Sequence, residues 1–183
     1  TLRHGNYTRV EENFFFGENE PGTGGIRIIG SHHTVINNYL QDLTGTDLYA
    51  AISVMNTQPH PALNGYWPVD STVIVNNTIV NCKQGIVIGS GAGERERIVA
   101  PTDCYIYNNI IYGKNGQLII YKDKPVNIKY AANILYGQRP DITLPAGLQL
   151  INPHLKFNAE ENLWRPVDND KAIINNGTIV PGI

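Results

Sequence analysis

An asparagine followed by a short apolar segment recurs five times along the chain. The copies are Asn13, Asn38, Asn77, Asn109 and Asn133, and the shortest steps between them cover about two dozen residues. Repetition with such a period is typical of solenoids, in which each unit buries its apolar face against its neighbours. The repeat therefore predicts stacked coils, with the extra length of the longer steps held in insertions.

Each coil contains three short apolar segments with the residue pattern of β-strands. One precedes the asparagine, one follows it, and a third comes later in the coil. We expect strands near 26–29, 35–40, 51–54, 72–80, 86–88, 104–111, 117–121 and 126–135. Many short strands joined by tight corners fit the abundance of Asn and the 18 Gly residues better than long helices do. The predicted fold is all-β, a right-handed parallel β-helix with three short strands per coil.

The asparagines have a structural explanation in such a fold. Equivalent carboxamides stacked at a coil spacing of about 4.8 Å can donate to one another and to corner carbonyls. Asparagine also tolerates the left-handed backbone conformation that a sharp corner needs. We therefore interpret the doublets at 37–38, 76–77, 108–109 and 175–176 as structural.

The chain divides by pattern into two parts. Residues 1–147 are predicted to form the coils, with insertions at 55–70 and 90–103, and residues 148–183 a C-terminal extension that caps the helix. In repeat proteins, insertions often emerge on the binding face. The opening residues Thr1–Asn6 have the pattern of a strand and its corner, so we expect the fold to be truncated at the N-terminus.

Charge and cysteine content exclude several classes. A net charge of −2 and a pI of about 6.2 give no general attraction for nucleic acid. No apolar run reaches 18 residues, so no membrane span is expected.

Cys82 and Cys104 could form a disulfide, but two buried free thiols are favoured. His32 and His33 lack a third ligand at a clear spacing, which argues against a metal site.

Two arginines are the candidates for anion binding. A step of two dozen residues aligns Arg3 with Arg27, and the same position continues to Ser53, Val87 and Ile119 in the following coils. The flanking apolar residues would point inward, namely Leu2, Ile26, Ile28, Ile52, Val54, Ile86 and Ile88. Arg3 and Arg27 should then point outward on adjacent rungs, where like charges repel unless they face carboxylates. Two solvated surface arginines are the alternative.

We expect a binding groove on the N-terminal coils, where these arginines lie, beside the Pro- and aromatic-rich insertion at 55–70. Tyr66 and Trp67 could roof the groove or could pack on the wall of the helix. The sequence leaves both arrangements open.

Several segments closely resemble polysaccharide lyase family six, which holds alginate lyases and chondroitinase B. The resemblance rests on four stretches and covers at least the first half of the chain: Thr1-Leu2-Arg3-His4-Gly5-Asn6, Asn13-Phe14-Phe15, Gly24-Gly25-Ile26-Arg27-Ile28-Ile29-Gly30 and His33-Thr34-Val35-Ile36-Asn37-Asn38-Tyr39. It implies β-elimination on a uronate polysaccharide such as alginate. The second arginine segment is closer to the alginate-cleaving members than to chondroitinase B.

The resemblance also implies roles for individual residues. Arg3 matches the catalytic arginine, and because a guanidinium is a poor proton donor we assign it electrostatic support of the leaving oxygen. His4 and Arg27 match substrate-contacting positions, and Tyr66 is a further residue that we expect to bind substrate. The family's lysine base and calcium ligands would lie upstream of Arg3, so we expect no metal site in this chain and no activity from it alone. Calcium, an alginate oligosaccharide and the preceding coils of the same protein are the implied cofactor and partners, with secretion or a bacterial periplasm as the location.

Other functions are compatible with a β-helix. A non-catalytic carbohydrate-binding module, as in a tailspike or an adhesin, is the main alternative. A chondroitinase-type lyase and a C5-epimerase or hydrolase are further ones, and the last two would need paired carboxylates on one face. No such pair occurs in register in this sequence.

Overall fold

The computed structural model describes residues 1–138, 143–168, 170–171 and 173–180. These residues form short strands and one 3-10 turn, Asp47–Tyr49. The strands are β1 (Arg9–Glu11), β2 (Phe14–Phe16), β3 (Ile26–Ile28), β4 (Thr34–Ile36), β5 (Tyr39–Gln41), β6 (Ile52–Met55), β7 (Val73–Val75), β8 (Thr78–Val80), β9 (Gln84–Ser90), β10 (Tyr105–Tyr107), β11 (Ile110–Tyr121), β12 (Lys129–Ala131), β13 (Asn133–Gln138), β14 (Leu148–Leu150), β15 (Leu155–Asn158) and β16 (Leu163–Pro166).

The strands build a three-faced coil. The first face has the order β1-β4-β7-β10-β12. The second face follows β2-β5-β8 and continues through the start of β11 to β13 and β14, whereas the third face is β3-β6-β9 and the end of β11. Every pairing between the named strands of these three faces is parallel. The predicted all-β parallel β-helix is thus confirmed.

Strands were expected to run through the asparagine doublets, but the chain turns there. The spans predicted as 35–40, 72–80, 104–111 and 126–135 are each divided into two strands at a residue with positive φ, and in 126–135 a second such residue, Asn127, precedes β12. The dividing residues are Asn37 at 54°, Asn76 at 55°, Asn108 at 55° and Ala132 at 50°. A single left-handed residue redirects the chain from the first face to the second, which explains the division. The other predicted strands are confirmed with small shifts, and 117–121 is the end of the long strand β11.

A ladder of side-chain amides links the coils just after this corner. In each step the Nδ2 group of one asparagine donates to Oδ1 of the next, at 3.0, 3.0, 3.0 and 2.9 Å, through Asn13, Asn38, Asn77, Asn109 and Asn133. The last four are 0–1% exposed. Since buried polar groups need partners, the ladder satisfies both ends of each amide inside the coil. The predicted stacking of these five residues is confirmed.

The apolar core fills the interior of the coil. The inward residues predicted for the third face, Ile26, Ile28, Ile52, Val54, Ile86 and Ile88, are all at most 4% exposed. Burying an aliphatic side chain of this size contributes about 1.5–3 kcal/mol. Cys82 and Cys104 are both free and buried, as favoured from the sequence.

The C-terminal part continues the sheet and then leaves it. Strand β14 pairs in parallel with β13, and β15 and β16 form an antiparallel hairpin. The hairpin contacts the second face, where Trp164 N donates to Tyr39 Oη at 2.8 Å and the Trp164 ring lies 5.4 Å from that of Tyr112. The division at 147 and the capping role remain predictions. Within the part of the chain that the structure describes, no helix is long and apolar enough to cross a membrane.

Candidate active site

The register at the first rung of the third face differs from the predicted one. Leu2 pairs with Ile28, because Leu2 N donates to Arg27 O at 2.8 Å and Ile29 N donates to Leu2 O at 2.9 Å. Arg3 is therefore level with Ile29, and the predicted alignment of Arg3 with Arg27 is wrong by two residues. The cause is the coil length, since the chain takes two more residues to complete this turn than the predicted spacing allows. Arg3 still follows an inward residue on the adjacent rung of the same face, so by alternation it points outward like Arg27.

Further along the third face the predicted register is partly confirmed. Arg27 pairs with Ser53, and Ser53 pairs with Val87, as expected. Val87 then pairs with Ile120 and not with the predicted Ile119. The insertion at 90–103 lies between these rungs, so sequence spacing alone could not fix that step.

A groove of about 720 Å³ opens beside Arg3. It lies between the first rung of the coil and the insertion at 55–70. Its lining consists of Arg3, His4, Gly5, Asn6, Ser31, Leu63, Asn64, Trp67, Pro68 and Asp70. The groove is thus formed by the corner that follows Arg3 and by one wall from the insertion, and its role in binding stays a prediction.

The Arg3 guanidinium is held without a carboxylate. Its Nη2 donates to the backbone carbonyl of Asn64, and its Cζ lies 5.0 Å from the ring centroid of Tyr66. Its Nε is buried and has no hydrogen-bond partner among the residues that the structure describes. Among the described residues no acidic side chain forms an ion pair with Arg3. The guanidinium thus has no ion-pair partner among the described residues, although the carboxylate of Asp70 lines the same groove.

The sequence left open whether Tyr66 and Trp67 cover the groove or pack on the wall of the helix, and in the structure the two residues differ. Tyr66 is half-buried and packs against the apolar core, so it belongs to the wall. Gln58 fixes it, accepting from Tyr66 N at 3.2 Å and donating its own N–H to Tyr66 O at 3.1 Å. Trp67 is 46% exposed and lines the groove.

Arg97 is a neighbour of this site that sequence reasoning missed. It comes from the second insertion, and its Cζ lies 5.1 Å from the Tyr66 ring centroid. Its side chain is 4% exposed and pairs with Glu94 at 2.6 Å. The alternating charges of residues 94–97 were the available signal, but such a run normally lies on a solvated surface.

The structure brings together some of the predicted site residues and separates another. Arg3 and His4 line the groove, His4 with an exposed side chain, and Tyr66 contacts Arg3. Arg27 does not line it. Its Nε donates to Leu48 O at 2.9 Å and its Cζ lies 4.9 Å from the ring of Tyr49, so the 3-10 turn holds it apart.

His33 has a structural position behind the groove. It is 1% exposed, its Nδ1 accepts from Thr8 N at 3.1 Å, and its Nε2 lies 3.0 Å from Ile29 O. This pairing requires the proton on Nε2. Burial lowers the pKa of His33, which favours the neutral ring. The side chain therefore joins two rungs.

Calcium is the metal that the family resemblance implies. Within residues 1–138, 143–168, 170–171 and 173–180, no three His, Cys, Asp or Glu side chains converge as a metal site would require. The described residues therefore do not supply the carboxylate cluster that usually binds calcium.

Comparisons with known proteins agree on one family. The chondroitinase B family model matches residues 1–179, and no curated protein gives a significant match. The structure of the PL6 family alginate lyase AlyGC has a TM-score of 0.82 and 32% identity over 99% of this chain and 24% of its own. The structure of a mutant of AlyGC has a TM-score of 0.79 and 30% identity, over 97% of this chain and 26% of its own.

A mannuronic acid specific polysaccharide family 6 lyase from human gut microbiota has a TM-score of 0.63 and 26% identity, covering 82% of this chain and 36% of its own. The chain thus spans about a quarter to a third of these solved proteins. Because the family model covers nearly all of the sequence, the chain belongs to the chondroitinase B family and is similar to the alginate lyases of polysaccharide lyase family 6.

Proposed function

We propose that the complete protein is a polysaccharide lyase that cleaves a uronate polymer, alginate, by β-elimination. The observation that carries the proposal is Arg3, a guanidinium at the edge of a groove that forms no ion pair with the described residues, in a chain of this family. The alginate lyase neighbours support the substrate class.

In the proposed reaction, a base removes the proton on C5 of the uronate. The electron pair forms the C4=C5 double bond, the bond from C4 to the glycosidic oxygen breaks, and that oxygen leaves with the bonding electrons and takes a proton from water. Negative charge therefore grows on the leaving oxygen. A pre-positioned cation there lowers the barrier, because its attraction for this oxygen strengthens as charge develops.

Arg3 is the proposed support for this oxygen. A guanidinium retains its proton at ordinary pH, so its contribution is electrostatic and not proton donation. The contacts with Tyr66 and with the Asn64 carbonyl fix its plane before substrate arrives. Such fixing avoids reorganisation during the reaction.

His4 and Arg27 are proposed to bind substrate. His4 lines the groove beside Arg3, whereas Arg27 lies outside its lining and would meet a sugar further along the chain. Tyr66 contributes through Arg3, because its ring already lies against two guanidinium groups. Trp67 supplies an exposed aromatic surface on which a sugar ring can pack.

The remaining roles belong to the complete protein. The base and a calcium ion, which the resemblance places upstream of Arg3, complete the proposed site, and secretion or a periplasmic location fits a polysaccharide substrate. That the 183-residue chain alone does not cleave alginate stays a prediction.

The test is an elimination assay with the complete protein on alginate, poly-mannuronate, poly-guluronate and chondroitin-type polymers. We expect the ultraviolet absorbance of the conjugated product to rise with an alginate substrate. A rise with chondroitin-type polymers alone would indicate a chondroitinase. Tight binding of alginate without any product would instead favour the carbohydrate-binding module.

A further inference from the structure

We infer that Arg97 is a positioning residue for catalysis that acts on Arg3 through the ring of Tyr66. This inference rests on the proposed function of Arg3. Both guanidinium groups lie over the same aromatic ring, at 5.0 Å for Arg3 and 5.1 Å for Arg97. Arg97 does not line the groove, so it does not meet the substrate itself.

The burial of Arg97 indicates a fixed position. Its side chain is 4% exposed, its Nε donates to Glu94 O at 3.0 Å, and its Nη2 donates to Glu94 Oε2 at 2.6 Å. The guanidinium also fills the space beside Gly91, where an added Cβ would lie 2.8 Å from Cζ. A desolvated arginine is costly unless its partners are well placed. Its plane is therefore set by its surroundings.

Charge distinguishes the two arginines that share the ring. Glu94 neutralises Arg97, whereas among the described residues Arg3 has no acidic partner. Aromatic faces attract cations, and the attraction grows as water is excluded. Arg97, whose charge is balanced by Glu94, thus supports the ring of Tyr66 from a fixed position. Tyr66 in turn holds the guanidinium of Arg3, which forms no ion pair with the described residues.

Backbone and side-chain bonds join the two insertions into one unit. Thr57 and Val99 exchange N–H···O bonds of 2.9 and 3.0 Å. Gln58, which accepts from Tyr66 N, also donates through Nε2 to Arg95 O at 3.4 Å. Movement of the 90–103 insertion would therefore be transmitted to the ring that contacts Arg3.

The experiment compares kcat and KM for alginate in the complete enzyme carrying Arg97→Met, Arg97→Lys or Tyr66→Leu. Displacement of a reacting group by about 1 Å can cost about a hundredfold in rate. We expect Arg97→Met to lower kcat by about tenfold to a hundredfold and Arg97→Lys by less, both with KM nearly unchanged. Arg95→Met, an exposed neighbour in the same insertion, should leave both constants unchanged.

The double variant Tyr66→Leu/Arg97→Met separates positioning from general loss of structure. If Arg97 acts through Tyr66, the double variant should have the kcat of Tyr66→Leu alone, because residues in one network are not additive. Additive losses, or a normal kcat in both Arg97 variants, would overturn the inference.

Folding and function are checked separately. If Arg97→Met lowers the melting temperature sharply, Arg97→Lys carries the test, since it keeps the charge and loses the guanidinium that lies over the Tyr66 ring. A wild-type enzyme with no activity on any uronate polymer would refute the proposed function and this inference with it. An active wild type with unaffected Arg97 variants would refute the inference alone.

Discussion

The side chain of Asn77 donates to that of Asn109 on the next coil, with Nδ2 3.0 Å from Oδ1. In the other direction, its own Oδ1 accepts from the backbone N–H of Asn38 at 3.0 Å. The same Nδ2 also contacts the carbonyls of Val35 and Val75, at 2.9 and 3.0 Å. One side chain thus satisfies polar groups on three successive coils.

Replacing Asn77 should destabilise the fold strongly. Asn77→Ala leaves a buried backbone N–H and a buried carbonyl without their partner, and we expect a loss of about 2–4 kcal/mol in the free energy of unfolding. Urea unfolding measures it. The control is Asn115→Ala, an exposed asparagine on β11, which should change the free energy by less than about 0.5 kcal/mol. Equal effects of the two substitutions would contradict a structural ladder.

The ladder could be predicted from the sequence because its cause is local and repeated. Each of its asparagines precedes an apolar strand, so aligning the repeats aligns the amides. The inward isoleucines followed for the same reason, since strand alternation fixes their side. The length of a coil was harder to predict from the sequence. The pairing of Leu2 with Ile28 makes the first coil two residues longer than the alignment of Arg3 with Arg27 implied. No local sequence signal marks this difference.

The surroundings of the candidate site could not be predicted in this way. Arg3 and Arg27 were found through their segments, but the partners that separate them, Tyr66 and Tyr49, come from other parts of the chain. The position of Arg97 depends on how two irregular insertions pair with each other. Such contacts follow from tertiary packing, for which a repeat pattern carries no information.

The corner before β13 offers a stabilising substitution. Ala132 has a φ of 50°, in the position where other coils carry Asn37, Asn76 and Asn108. This conformation costs an alanine about 1 kcal/mol or more, and asparagine adopts it more readily. Ala132→Asn should raise the free energy of unfolding by about 0.5–1 kcal/mol. Ala132→Val, which is β-branched, should lower it. A loss of stability in the asparagine variant would show that the corner is not strained.

The two buried thiols predict a fall in stability at alkaline pH. Burial raises the pKa of both Cys82 and Cys104 from 9.0 to about 12. The unfolded chain therefore ionises first, so the stabilisation is complete below pH 9 and is lost progressively as pH rises toward about 12. Unfolding measured across this range should show a shallower fall in a Cys82→Ala/Cys104→Ala variant than in the wild type. Parallel pH curves would contradict the raised pKa values.

Arg27 should affect binding more than turnover in the complete enzyme. Its Nε is held by Leu48 O, and within the described residues its two Nη groups have no hydrogen-bond partner. They can pair with a uronate carboxylate in a bidentate geometry that lysine would not reproduce. Arg27→Ala should weaken binding by about 2–4 kcal/mol, seen mainly as a higher KM. Arg27→Lys, as the matched control, should restore little of it. A fall in kcat at unchanged KM would assign Arg27 to the chemical step.

The turnover of Arg3→Ala on alginate, measured in the complete enzyme at saturating substrate, tests the central claim most directly. Arg3 is proposed to stabilise charge that exists only as the glycosidic bond breaks, so its loss should lower kcat by about a hundredfold to a thousandfold. Arg3→Lys should recover part of that loss, because charge is restored without the planar contact on Tyr66. A kcat for Arg3→Ala equal to that of the wild type would show that Arg3 does not support the leaving oxygen.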